Sequence, residues 1–229
     1  MPEIPKIVLP HGGYKSLIVY KKSDVIYEGT VMFCRRFLPA YGDRTVDQMT
    51  QAARSCKQNI AEGSANSGIS KETEITLTGV ARATLDELME DYHDWLKSHD
   101  AALWTIDDER TKATRDFAVK NVDWLAWKPM FETYPPDALA NMMLTLCHQT
   151  RYMLDKMIER MEEDFKMNGG VRERMHAARA AVRGEEWEKG LFSRLDSAVT
   201  VQELDKMAVN LQNRIHQTVW RIKQRKGWI

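Results

Sequence analysis

What is scarce in this chain narrows its fold first. Its 229 residues include only 7 Pro and 12 Gly, so turns are few and the elements between them are long. Apolar alternation of period two is nearly missing, and Leu17-Ile18-Val19-Tyr20 is the one β-like run. No apolar run approaches the roughly 20 residues that a membrane-spanning helix needs, so no membrane partner is expected. Residues 1–13 carry Pro2, Pro5, Pro10, Gly12 and Gly13 but no apolar stretch of the signal-peptide kind; residues 1–16 read as a flexible tail. Cysteine is also sparse. Cys34, Cys56 and Cys147 are odd in number and far apart, and each falls on an apolar helical stripe. A disulfide framework does not follow; reduced, buried thiols in a cytoplasmic protein do.

Motifs that carry chemistry are equally thin. Gly12-Gly13 and Gly169-Gly170 lack the flanking residues of a phosphate-cradling loop. Cys147-His148 is adjacent rather than spaced for zinc, and no Ser/His/Asp arrangement can be picked out. Two Glu-x-x-His pairs occur, Glu90…His93 and Glu173…His176. Di-metal carboxylate bundles turn two such pairs inward beside two further glutamates. Here the second pair lies beyond the Asn168-Gly169-Gly170 hinge, outside the main helices. No catalytic residue, metal site or cofactor is therefore expected, and the chain reads as non-enzymatic.

Helical periodicity is what the sequence has in abundance. Tyr20, Tyr27, Val31, Cys34 and Leu38 share a face of a first helix over about residues 20–38, ended by Pro39 and Gly42. Thr45 with Gln48 offers a capping box for a second, whose stripe is Val46, Met49, Ala53, Cys56 and Ile60, with Gly63 as its stop. Ser70 caps a third, with Leu77, Ala81, Thr84, Leu88, Tyr92 and Trp95 as its stripe; Gly79, Ala81 and Ala83 would let a neighbour approach closely. Residues 97–136 read as an insertion with one helix capped at Thr105 and an aromatic cluster, Trp104, Trp124, Trp127 and Phe131, that suits core or subunit contact. Pro135-Pro136-Asp137 opens a long helix through Leu139, Met143, Leu146, Thr150, Met153 and Met157. Beyond the hinge come a short helix near residues 171–182 and a long one from Thr200. Thr200 and Glu203 offer a capping box there, and Val201, Leu204, Ala208, Leu211, Ile215, Thr218 and Ile222 form a seam that wants a partner. The expected fold is all-α: an up-down-up-down four-helix bundle over residues 17–164, an inserted helix, and a helical suffix over residues 165–229.

Two sequence runs resemble a known family. The second helix reads Ala52-Ala53-Arg54-Ser55-Cys56, then Asn59-Ile60-Ala61-Glu62-Gly63. With Tyr27, Thr30 and Phe33 before it and Ala81, Thr84, Glu87 and Leu88 after it, this resembles the bacterial four-helix-bundle family of the 23S rRNA intervening-sequence proteins. Gly169-Gly170 through Arg172-Glu173-Arg174-Met175 resembles the C-terminal suffix of its longer members. The resemblance implies a homo-oligomeric ring, commonly a pentamer, and a poorly defined function. A related accessory protein of diversity-generating retroelements binds a reverse transcriptase and nucleic acid through a basic ring surface. This chain departs from the pattern where the family often has arginine before the Ala-Ala pair: Thr50 and Gln51 stand there.

Charge sharpens the functional expectation. Formal net charge is zero, yet residues 165–229 hold 13 Lys+Arg against 7 Asp+Glu, while the remainder is net acidic. No acid follows Lys206. Arg214, Arg221, Lys223, Arg225 and Lys226, with Trp228, are the candidate nucleic-acid contacts, combining charge with a stacking face; the other reading of the same residues is a solvated helix end that suits the negative pole of the dipole. The leading expectation is a homo-oligomeric adaptor associated with RNA or DNA, or with a nucleic-acid enzyme such as a reverse transcriptase. The alternative is a protein-interaction module without a nucleic-acid role. Asn59 and Glu62 invite two further readings, cross-helix polar contacts or a simple helix exit.

Overall fold

The computed structural model describes residues 7–8, 12–39, 44–196 and 201–225, the side chains of 185, 191–192, 194–196, 201–204, 222 and 225 excepted. The described residues are all-helical. A 3-10 turn, Tyr14–Ser16, precedes α1 (Ile18–Phe37), α2 (Arg44–Asn66), α3 (Lys71–Ser98), α4 (Glu109–Lys120), α5 (Trp124–Thr133), α6 (Pro136–Asn168), α7 (Val171–Asp196) and α8 (Val201–Arg225). Several ends are set by local chemistry. The Ser70 hydroxyl accepts the Thr73 N–H at 3.1 Å to start α3. Pro136 occupies the first turn of α6, where its missing N–H costs nothing. Gly169, at φ 65°, ends that helix with a backbone conformation that a side chain would strain.

Residues 7–174 form one compact unit, and a second holds the described residues from Met175 onward. Within the first unit, α1 packs on α2 and α6, and α3 also packs on α2 and α6. The insertion follows suit, α5 lying on α1 and α4 on α6. Ile26 and Phe33, Met49 and Ile60, Leu85 and Leu88, and Leu139 and Met143 fill the shared interior at 0–1% exposure. Each such burial stabilises by about 1.5–3 kcal/mol. The Tyr92 hydroxyl, deep in this core, donates to Thr30 Oγ1 at 3.0 Å, so its polar tip is satisfied.

The structure corrects several local expectations. On α1 the buried arc runs through Val19, Lys22, Ile26, Thr30 and Phe33, with Tyr20, Tyr27 and Val31 at its half-buried margin. α1 touches three other helices, so its buried arc is wider than one stripe. The second helix begins at Arg44, which places Thr45 inside its first turn, and continues past Gly63 to Asn66. Gly63 is a buried contact with α3: a Cβ there would meet the Glu74 carbonyl oxygen at 3.4 Å and Leu77 Cβ at 3.5 Å. Gly79, in contrast, faces open space, so no neighbouring helix requires it. The insertion holds two helices, capped by Asp108 and Asp123 through the N–H groups of Arg110 (2.9 Å) and Leu125 (3.0 Å), not one capped by Thr105. α7 runs on to Asp196 instead of stopping near residue 182. Thr200 lies outside the described residues.

Candidate functional site

The predicted basic residues sit on α8 in two groups. Arg214 and Arg221 are seven residues apart, and at 100° per residue they share a stripe that the backbone of Arg225 extends. Lys223, two residues past Arg221, points to roughly the opposite side. Arg214, Arg221 and Lys223 are exposed, and none forms an ion pair with a carboxylate among the described residues. Lys226 and Trp228 lie outside those residues. Trp220, 54% exposed, is away from the arginine stripe. Beside that stripe the apolar seam is open, with Ile215 56% and Val219 45% exposed.

The Asn59–Gly63 run is structural in its contacts. The Asn59 amide donates to its own helix, to the Ser55 carbonyl at 2.8 Å and Ser55 Oγ at 3.1 Å, instead of crossing to a neighbour. Ile60 is buried in the core and Ala61 is half-buried. Glu62 and Arg54 are exposed and make no ion pair with each other. Glu173 of the second Glu-x-x-His pair is used locally: its Oε2 accepts the Gly170 N–H at 2.9 Å at the start of α7. Among the described residues no three His, Cys, Asp or Glu side chains could hold a metal ion. None of the three cysteines is in a disulfide, and all are buried; burial pushes the Cys56 thiol up to about 12 and raises that of Cys147, the reverse of an activated nucleophile.

Two concave regions carry opposite electrostatics. A groove of about 770 Å³ between α2 and α3 is lined by Asp47, Glu87, Glu90 and Asp91, with Arg44 and Gln51. Burial, with Asp94 and Glu87 nearby, raises the Asp91 carboxyl above its ordinary value. The four carboxylates outnumber the one cation, Arg44, so this groove repels phosphate instead of attracting it. A second cavity, of about 560 Å³, lies where the insertion meets α3 and α6. Leu103, Trp104, Ile106 and Leu144 give it apolar walls, and Arg115, His93 and His148 give it nitrogen donors. No acidic side chain lines it.

Behind this cavity is a residue that sequence reasoning missed. Lys22 on α1 is only 4% exposed, and its Nζ donates to the Ala118 carbonyl at 2.6 Å and to Gln149 Oε1 at 3.0 Å. Ala118 is in the last turn of α4, where a positive charge opposes the negative end of the helix dipole. Gln149 in turn donates to the Arg115 carbonyl at 3.2 Å. Burial without a carboxylate partner lowers the Lys22 ammonium to about 8. The available signal was positional: Lys22 falls between Val19 and Ile26 on the i, i+3, i+7 row. No helix of the described residues is long and apolar enough to cross a membrane. Comparison of the chain with protein-family models, curated proteins and solved structures gives no match.

Proposed function

We propose that this chain is a homo-oligomeric helical adaptor that associates with nucleic acid through α8. The observation that supports it is the exposed stripe of Arg214 and Arg221 without a carboxylate partner among the described residues. The α2–α3 groove of the first unit is acidic and repels phosphate, whereas α8 presents basic side chains of the right sign. In this reading α1, α2, α3 and α6 are an up-down-up-down four-helix bundle, for which their cyclic contacts argue. The resemblance to the intervening-sequence proteins adds a pentameric ring and a nucleic-acid enzyme, such as a reverse transcriptase, as a further partner, and the buried thiols suit a cytoplasmic setting. The adaptor itself carries out no catalysis.

Filter binding of single-stranded RNA and DNA at several salt concentrations tests this. The expected result is a log–log salt slope of about −0.7 for each phosphate contacted, and a shallower slope after Arg214→Gln with Arg221→Gln. No binding at low salt, or binding that those substitutions leave unchanged, refutes it. A second reading, a protein-interaction module, is favoured by the open seam at Ile215 and Val219. Under it, Ile215→Glu lowers the mass measured by light scattering and the arginine substitutions do not matter.

A further inference from the structure

We propose that the cavity between the insertion and α6 is a binding site for a small amphipathic carboxylate. Its volume of about 560 Å³ falls within the range of small-molecule pockets. Its chemistry is one-sided. Trp104 and Leu144 supply wall, Ile106 (71% exposed) and Tyr152 (63% exposed) stand at its mouth, and one guanidinium, that of Arg115, faces an interior with no acid. Arg115 Nη2 donates to the Ile106 carbonyl at 2.7 Å, and its other donors have no carboxylate among the described residues. That one bond aims the planar fork while leaving donors for a bidentate contact.

The ligand's charge is set by the wall. Burial, His93 and Arg151 hold His148 below its ordinary value against the pull of Asp86, and the Arg115 guanidinium is a fixed positive charge in the lining. A carboxylate matches its planar fork. The apolar walls then require an aromatic or branched aliphatic body on the same molecule.

Calorimetric titration of the full chain with 1-naphthylacetate, its neutral amide and 1-naphthylmethylammonium tests the assignment. The carboxylate is expected to bind saturably, tighter than about 1 mM, and about ten- to hundredfold tighter than the amide, as a charge-assisted contact predicts. The cation should not bind. Arg115→Met should erase the preference for carboxylate over amide. Leu144→Trp, which fills the cavity without touching the charge, should abolish binding of both. Equal affinity for carboxylate and amide, no saturable binding by the unaltered chain, or carboxylate binding that survives Leu144→Trp overturns the proposal. The comparison of probes on the unaltered chain decides even if Arg115→Met fails to fold. The outcome is separate from that of the nucleic-acid titration, since the cavity lies in the first unit and the arginine stripe in the second.

Discussion

Gly29 and Gly79 are both inside helices, and the structure assigns them opposite responses to one substitution. A helical glycine costs about 1 kcal/mol relative to alanine, largely through the freedom of the unfolded chain. At Gly79 a Cβ meets nothing within 4 Å, so Gly79→Ala should recover about that amount. At Gly29 the added carbon would lie 2.8 Å from Phe131 Cζ and 3.0 Å from Met143 Sδ. Both side chains are at 0% exposure, so neither has a free direction in which to retreat. Overpacking of this kind costs about 1–3 kcal/mol. Set against the propensity gain, Gly29→Ala should be net destabilising by about 1 kcal/mol. The two variants should then differ by about 2 kcal/mol, or about 1 M in the urea midpoint at an ordinary slope. Urea unfolding followed by far-UV circular dichroism measures both, with equal slopes as the check that compactness is unchanged. Phe131→Leu should relieve the clash, so the double-mutant cycle should show favourable coupling of about 1 kcal/mol. Equal stabilisation by the two alanines would refute the assigned packing of α5 on α1.

Two other responses follow from buried titratable groups. Lys22 is held near 8 in the folded chain against 10.5 when unperturbed, so between those values the unfolded state binds more protons. Stability should therefore rise with pH across that window, and the rise should be seen in the unaltered chain and be missing from Lys22→Met in urea midpoints taken at pH 7.5 and 10. An unchanged profile in Lys22→Met would place the effect elsewhere. The three cysteines should react with Ellman's reagent only at the rate of global or local opening, and all three should react rapidly in denaturant; a fast native thiol would contradict their burial.

The long elements were legible because three-four periodicity survives wherever one face of a helix is buried. Met49, Cys56 and Ile60 on α2, and Leu139, Met143 and Leu146 on α6, lie in the interior as their spacing predicts. Ser70 and Pro136 are read correctly because capping chemistry is local. Gly63 was misread for a physical reason. Glycine ends a helix through a positive φ and permits close packing through its missing Cβ, and the sequence does not distinguish the two uses. Asp108 prevailed over Thr105 because the chain approaches α4 through Trp104, whose N–H is held by Asn141 Oδ1 at 2.8 Å, a contact 37 residues apart in sequence. The candidate cavity was illegible on the same ground: its walls run from His93 to Tyr152 across four segments. The α8 candidates were legible as a charge excess, but only the helical phase separates Lys223 from the arginine stripe.

The insertion is better understood as part of the core than as a connection laid over it. Trp127 and Phe131 are at 0% exposure, and the main helices accommodate them at some cost. Gly29 forgoes a side chain on α1 so that Phe131 can enter. Lys22 gives up most of its hydration to hold the end of α4. Arg36 donates to the Phe131 carbonyl, and Asn141, 2% exposed, clamps the Trp104 N–H and the Ala102 carbonyl. A helical glycine and a buried lysine each lower stability when judged alone. Their presence on α1 makes sense as support for α4 and α5. α4 and the loop before it supply Leu103, Ile106, Thr111 and Arg115 to the cavity. Lys22, which breaks the simple helical pattern, therefore supports the helix that carries two of the cavity's lining residues. The −6 and +6 division of charge along the chain, from 33 basic and 33 acidic residues in all, leaves α8 as a separate surface whose role is decided by nucleic-acid titration and not by ligand binding.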